Sequence, residues 1–130
     1  MEDLRATLER LDGADHVALA AVARRLRAAT EAAEEATAWL LGQNDATLPA
    51  ATSVEYLMLM GRLAGGWMMA RLALAAHRRA ADDDADRAWL AARLALARYY
   101  AERTLPLVES SRTIIVESAE STVALDVAQL

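Results

Sequence analysis

Few residues in this chain are of types that do chemistry, so each can be tested by its spacing. There are two histidines, His16 and His77, and no cysteine. A carboxylate-bridged metal pair in a helical protein needs Glu-x-x-His on two helices, so that both side chains share a face. Gly13 and Leu74 stand three residues before the histidines, and no metal site is expected. Nucleophilic catalysis fares similarly: Ser110, Ser111, Ser118 and Ser121 have no neighbouring His and no Gly-x-Ser-x-Gly elbow. The Gly65-Gly66 pair lacks the further glycines, or the Gly-Lys-Ser/Thr ending, of a phosphate-binding loop. Glu34 and Glu35 are helical neighbours about 100° apart and do not converge as an acid–base pair. The expectation is therefore no catalytic residue and no metal.

Two groups of residues suggest binding. Projected at 100° per residue, Met60, Trp67 and Leu74 share a face with Arg71, while Arg62 falls opposite, towards Glu55. An Arg on an apolar face needs a carboxylate or carbonyls, because breaking a buried pair costs about 3–5 kcal/mol. Glu34, Glu35 and Glu102 are candidate partners for Arg71, and a partner protein or an anionic ligand is the alternative. Further along, Trp89, Arg93, Leu96, Tyr100 and Arg103 form a mixed stripe of the residue types enriched at interface centres.

The elements that position these residues follow from an apolar period of three and four. Leu19, Val22, Leu26, Ala29, Ala33, Ala36 and Leu40 mark one seam, closed by Gly42. A second helix follows Pro49, and a third follows the carboxylate run "ADDDAD", which suits a helix N-terminus; Leu90, Leu94, Ala97 and Ala101 are its core stripe. Thr113 to Val116 is β-branched and could be a strand by propensity, but no second strand exists to pair with it. The spacing predicts an all-α fold, an antiparallel four-helix bundle with short loops. Its parts are a leading helix at 1–12, long helices at 14–43, 50–78 and 84–105, and a short final helix at 107–120, in a single domain of residues 1–130. The end, "TVALDVAQL", is expected to be extended or frayed.

Composition agrees. The chain has 130 residues, 55% of them hydrophobic, with five Gly, two Pro and no Phe, the balance of a nearly all-helical protein. A net charge of −5 argues against nucleic acid as a partner. The acidic, amphipathic "MEDLRATLER" carries no signal-peptide core, and a cytoplasmic protein is expected. The apolar run "YLMLMGRLAGGWMMARLALAA" holds the Gly61-x-x-x-Gly65 spacing of membrane helix dimers. Its Arg62 and Arg71, on opposite faces, would each cost about 2.5–3.5 kcal/mol in a bilayer. No membrane span is expected, and Gly61, Gly65 and Gly66 are read as points where another helix comes close.

Four segments carry a family resemblance: "ATAWLL" from Ala36, "ATSVEYLMLMGRLAGGWMMARLALAA" from Ala51, "WLAARLALARYYAERTLP" from Trp89, and "SAESTVAL" from Ser118. Over about Glu35 to Leu125 they resemble the extra C-terminal helical domain of acyl-CoA dehydrogenases of the 3-methylmercaptopropionyl-CoA dehydrogenase-like branch. The pattern differs at Arg93 (Lys in that branch), Ser118 (Gly), and Ile114 and Ile115 (smaller residues). The resemblance implies an accessory domain with no catalytic site of its own, which packs on a dehydrogenase core and supports subunit assembly. FAD, the acyl-CoA thioester and the glutamate base would belong to that core, and no flavin or CoA ligand carries over to a numbered residue here. Trp39, Tyr56, Gly61, Gly65, Gly66, Trp67, Arg71, Trp89, Arg93, Arg98 and Tyr100 are the expected structural or interface residues, and a homo-oligomer is expected. The alternative is a stand-alone bundle in which Arg71 or Arg93 grips a CoA phosphate or another anion beside Trp67.

Overall fold

The computed structural model describes residues 1–124; the expectation for the end of the chain from Leu125 lies outside the described residues. Among these the structure is helical, without strands: α1 (Glu2–Asp12), α2 (Val17–Leu41), α3 (Thr47–Ala51), α4 (Ser53–Arg79), α5 (Arg87–Arg103) and α6 (Pro106–Val123). Residues Thr113 to Val116 are accordingly helical.

The helix ends have local causes. His16 caps α2, its Nδ1 accepting from the Ala18 amide at 3.2 Å, which meets one of the orphan donors of a helix start. Asp86 caps α5 through the Trp89 amide at 3.0 Å, so the helix begins at Arg87, three residues later than the expected 84. Thr52 separates α3 from α4, its buried hydroxyl turned back to the Leu48 carbonyl at 3.0 Å. The helix expected to begin at residue 50 is thus split into a single turn and a 27-residue helix.

α2 and α4 run antiparallel. His16 and His77 meet edge to face at one end, with ring centroids 5.4 Å apart. At the other end the hydroxyls of Thr37 and Tyr56 lie 2.9 Å apart. On the α2 seam Leu19, Val22, Leu26, Ala29, Ala33 and Ala36 are each no more than 1% exposed. α4 buries Leu59, Leu63, Gly66, Ala70 and Ala73, a second stripe at steps of three and four. Its small residues let the two axes approach closely, since interaxial distance follows the side chains at the contact.

The final helix departs from the expected hairpin. Thr104 (φ −106°, ψ −42°) and Leu105 (φ −62°, ψ −33°) are both in right-handed helical conformation, so the chain does not reverse between α5 and α6. Pro106 has no N–H to give the preceding turn, and its ring crowds that turn's carbonyl, which kinks a helix without turning it back. α5 and α6 therefore form one bent rod along the α2–α4 pair, and they touch each other little. A fourth helix antiparallel to α5 is not formed among the described residues. α1 also packs on α2 and α4.

Candidate functional site

Around the middle of α4 the sequence positions three glycines within six residues, and their surroundings differ. A Cβ on Gly65 would overlap Tyr100 Oη and lie 2.9 Å from its Cζ. One on Gly66 would lie 2.5, 3.0 and 3.1 Å from the Cδ2, Cδ1 and Cγ of Leu105. Both glycines are thus sockets for the bent rod: Tyr100 closes the last full turn of α5, and Leu105, 1% exposed, is the buried pin of the kink. A Cβ on Gly61 would meet nothing within 4 Å; this glycine faces outward, and no helix of the chain comes close there.

A polar line runs beside the sockets. Tyr100 Oη donates to the Arg62 carbonyl at 3.2 Å, and Arg62 Nη1 donates to Ser111 Oγ at 2.8 Å. Burial pushes the Tyr100 hydroxyl above its ordinary pKa, with the nearby Arg62 charge opposing the shift. Arg62, not Arg71, is therefore the arginine turned inward. Arg71 is exposed, its guanidinium 5.3 Å from the centroid of the Trp67 ring. None of its three candidate carboxylates pairs with it: Glu34 bonds Arg5 at 2.7 Å, Glu35 lies 3.5 Å from Arg112, and Glu102 bonds Arg98 at 2.8 Å. The reason is the position of the core. Relative to Gly66, the Arg62 side chain is about 40° away around the helix and Arg71 about 140°. The Met60–Trp67–Leu74 face borders α1 instead of the centre.

Trp67 ties that border. Its Nε1 donates to Thr7 Oγ1 at 2.9 Å, and Thr7 in turn donates to the Asp3 carbonyl at 2.9 Å. Beside it Arg10, Arg71 and Arg78, with Met68 and Leu72, line an open groove of about 390 Å³. Tyr56 and Trp39 are partly buried against the core, and Arg98 lies along the surface of α5 in its bond to Glu102.

The expected stripe on α5 is realised with one exchange. Tyr100 turns inward, and its neighbour Tyr99, 61% exposed, takes the outer position with Trp89 (53%) and Leu96 (42%). Arg93 stacks on Trp89, 4.8 Å from the ring centroid, and its buried Nε has no hydrogen-bond partner among the described residues. Sequence reasoning gave no structural role to Leu105 and Tyr99, which lie within a matched motif, weighed Ser111 only as a nucleophile, and did not single out Thr7. Of these, only Leu105 had a local signal, the proline that follows it.

Among the described residues, no group of three or more His, Asp or Glu could hold a metal ion. No helix there is long and apolar enough to cross a membrane. The arrangement is a helical scaffold with apolar and aromatic side chains exposed on α4 and α5. Residues 1–126 match the family described as Acetyl-CoA dehydrogenase C-terminal like. The chain belongs to that family, and the match takes in α1 and most of α2, which the motif resemblance beginning near Glu35 left out. No curated protein and no solved structure matches it.

Proposed function

We propose that this chain is the accessory helical module of an acyl-CoA dehydrogenase, and that it packs on the flavin-dependent core through the outer face of α5. The observation that carries the reading is membership of the dehydrogenase C-terminal family over residues 1–126. The face formed by Trp89, Arg93, Leu96 and Tyr99 supports it: aromatics and Arg are the residues that dominate binding energy at interface centres. FAD, the acyl-CoA and the base that removes its α-proton belong to the core in this reading, which places the parent enzyme in the 3-methylmercaptopropionyl-CoA dehydrogenase-like branch and the assembly in the cytoplasm. The module's part is to brace subunits and to shape the approach to the active site, with no chemistry of its own.

The test is to purify the chain alone, record its flavin absorbance, and assay acyl-CoA oxidation with an electron acceptor. Neither bound flavin nor turnover is expected. Stoichiometric flavin or unaided oxidation would refute the reading. Strong calorimetric heat with CoA, lost in Arg71→Gln, would instead favour ligand binding at the Arg10–Arg71–Arg78 groove.

A further inference from the structure

With its three candidate carboxylates bonded elsewhere, Arg71 faces the groove of about 390 Å³ between α1 and α4, where Arg10 and Arg78 join it. None of these three guanidiniums is paired with a carboxylate among the described residues. The acids nearby are engaged or turned away. Asp82 and Asp84 bond Arg79, and Asp86 caps α5, which leaves only Asp83 of that run unbonded. Glu2 and Glu9 lie with Arg5 on the opposite flank of α1. Asp3 alone lines the adjoining hollow with Arg10 and Arg71, so three positive charges stand against one negative. Arg71 is also held in place: its guanidinium lies 5.3 Å from the Trp67 ring centroid, and Thr7 fixes that indole through its 2.9 Å bond. A guanidinium positioned in this way loses less freedom when it binds an acceptor.

We propose that this groove binds an acidic polypeptide segment laid along α1 and α4, its carboxylates meeting Arg10, Arg71 and Arg78. The exposed Met68 and the neighbouring Leu72 supply an apolar wall for its aliphatic stems. Two features select a segment over a small anion. Arg71 and Arg78 stand two turns apart on α4, about 10.5 Å along its axis, so the charge is strung along the groove and not gathered about one point. The groove is also open, whereas pockets for small ligands enclose most of the ligand's surface. Guanidinium forks match carboxylates in geometry as well as charge. A nucleic acid would meet the chain's net charge of −5, which opposes a long polyanion far more than a short acidic segment. The inference goes beyond the dehydrogenase reading and does not depend on it. The groove lies on the α1 side of α4, at Trp67, whereas α5 packs on the other side, at Gly65.

The experiment is fluorescence anisotropy of a labelled oligoglutamate peptide titrated with the whole chain, with oligoglutamine as the neutral control. Arg10→Glu, Arg71→Glu and Arg78→Glu are compared with the wild type, circular dichroism confirming that each is folded. Arg24→Glu, at an exposed arginine of α2 outside the groove, and Leu96→Asp on α5 serve as controls for charge and for the other face. Saturable binding of oligoglutamate and not of oligoglutamine is expected, and it should weaken as salt is added. Each groove variant should weaken it at least fivefold, while Arg24→Glu and Leu96→Asp should change it less than twofold. Calorimetry with pyrophosphate and CoA tests the small anion, and both should bind more weakly than the peptide. The proposal is overturned by any of four results: no saturable binding by the folded wild type, groove variants that bind as it does, an equal loss in Arg24→Glu or Leu96→Asp, or tighter binding of pyrophosphate or CoA than of the peptide.

Discussion

Alanine substituted in turn at Gly61 and Gly66 should move stability in opposite directions, or at least by clearly different amounts. Both positions are interior to α4, so each substitution gains the same helix-propensity term, about 0.8–1.0 kcal/mol. At Gly61 the new methyl meets nothing within 4 Å, and the whole gain should appear. At Gly66 it meets three Leu105 atoms between 2.5 and 3.1 Å. Leu105 is 1% exposed, so it cannot swing into solvent, and both of its branches and its Cγ are engaged. Overpacking of this kind costs about 1–3 kcal/mol. The propensity term cancels in the difference, which leaves Gly66→Ala less stable than Gly61→Ala by about 1–3 kcal/mol. Each kcal/mol corresponds to about 2–8 °C in Tm over the size range of small domains. The assay is urea unfolding followed by far-ultraviolet circular dichroism, at concentrations low enough that self-association does not contribute. A destabilised Gly61→Ala, or a Gly66→Ala as stable as Gly61→Ala, would refute the account of why these glycines are present.

Leu105→Ala should open a cavity beneath Gly66 and cost about 2–5 kcal/mol, visible in the same unfolding experiment as a lower midpoint. Trp67→Phe removes the donor to Thr7 and should cost about 0.5–1.5 kcal/mol. Amide hydrogen exchange should quicken in α1 while α5 stays protected. Tyr100 gives a pH prediction: its hydroxyl is held above its ordinary pKa by burial, so the unfolded chain loses this proton first. The stabilisation is complete below about pH 10, the unfolded value, and falls as pH rises from there through the folded pKa. Tyr100→Phe should flatten that alkaline loss, and an unchanged slope would contradict the burial of Tyr100 in the Gly65 socket.

Much of the fold was legible in the sequence. The α2 seam and the Leu90–Leu94–Ala97–Ala101 stripe are buried as their period predicts, because on amphipathic helices the apolar side is also the inner side. α4 is apolar nearly all round, and there the period misleads. Its large residues Leu57, Met58 and Met68 face outward, and the core stripe is made of Leu59 and Leu63 with smaller Gly66, Ala70 and Ala73. Size and hydropathy therefore point away from the core: the face they define carries Arg71, which is exposed, whereas Arg62 is the arginine turned inward. The hairpin expected before α6 failed for a related reason. Pro106 marks the end of α5, but proline also opens helices at their first turn. Only the helical backbone of Thr104 and Leu105 shows that the chain continues forward. The outer face of α5 was half legible: spacing places Trp89, Arg93 and Leu96 on one side, but it also places Tyr100 among them, and only its nearness to the Leu90–Leu94–Ala97–Ala101 stripe distinguishes it from the outward Tyr99.

The central claim, that the outer face of α5 docks this module on a dehydrogenase core, is tested most directly by binding. The acyl-CoA dehydrogenase core from the same source, expressed without this domain, is titrated with the purified chain and with its Leu96→Asp variant by interferometry. Saturable binding of the wild type, weakened at least tenfold by Leu96→Asp and unaffected by Leu57→Asp, is the predicted result. Binding that Leu96→Asp leaves intact, or no binding by the folded wild-type chain, would contradict it.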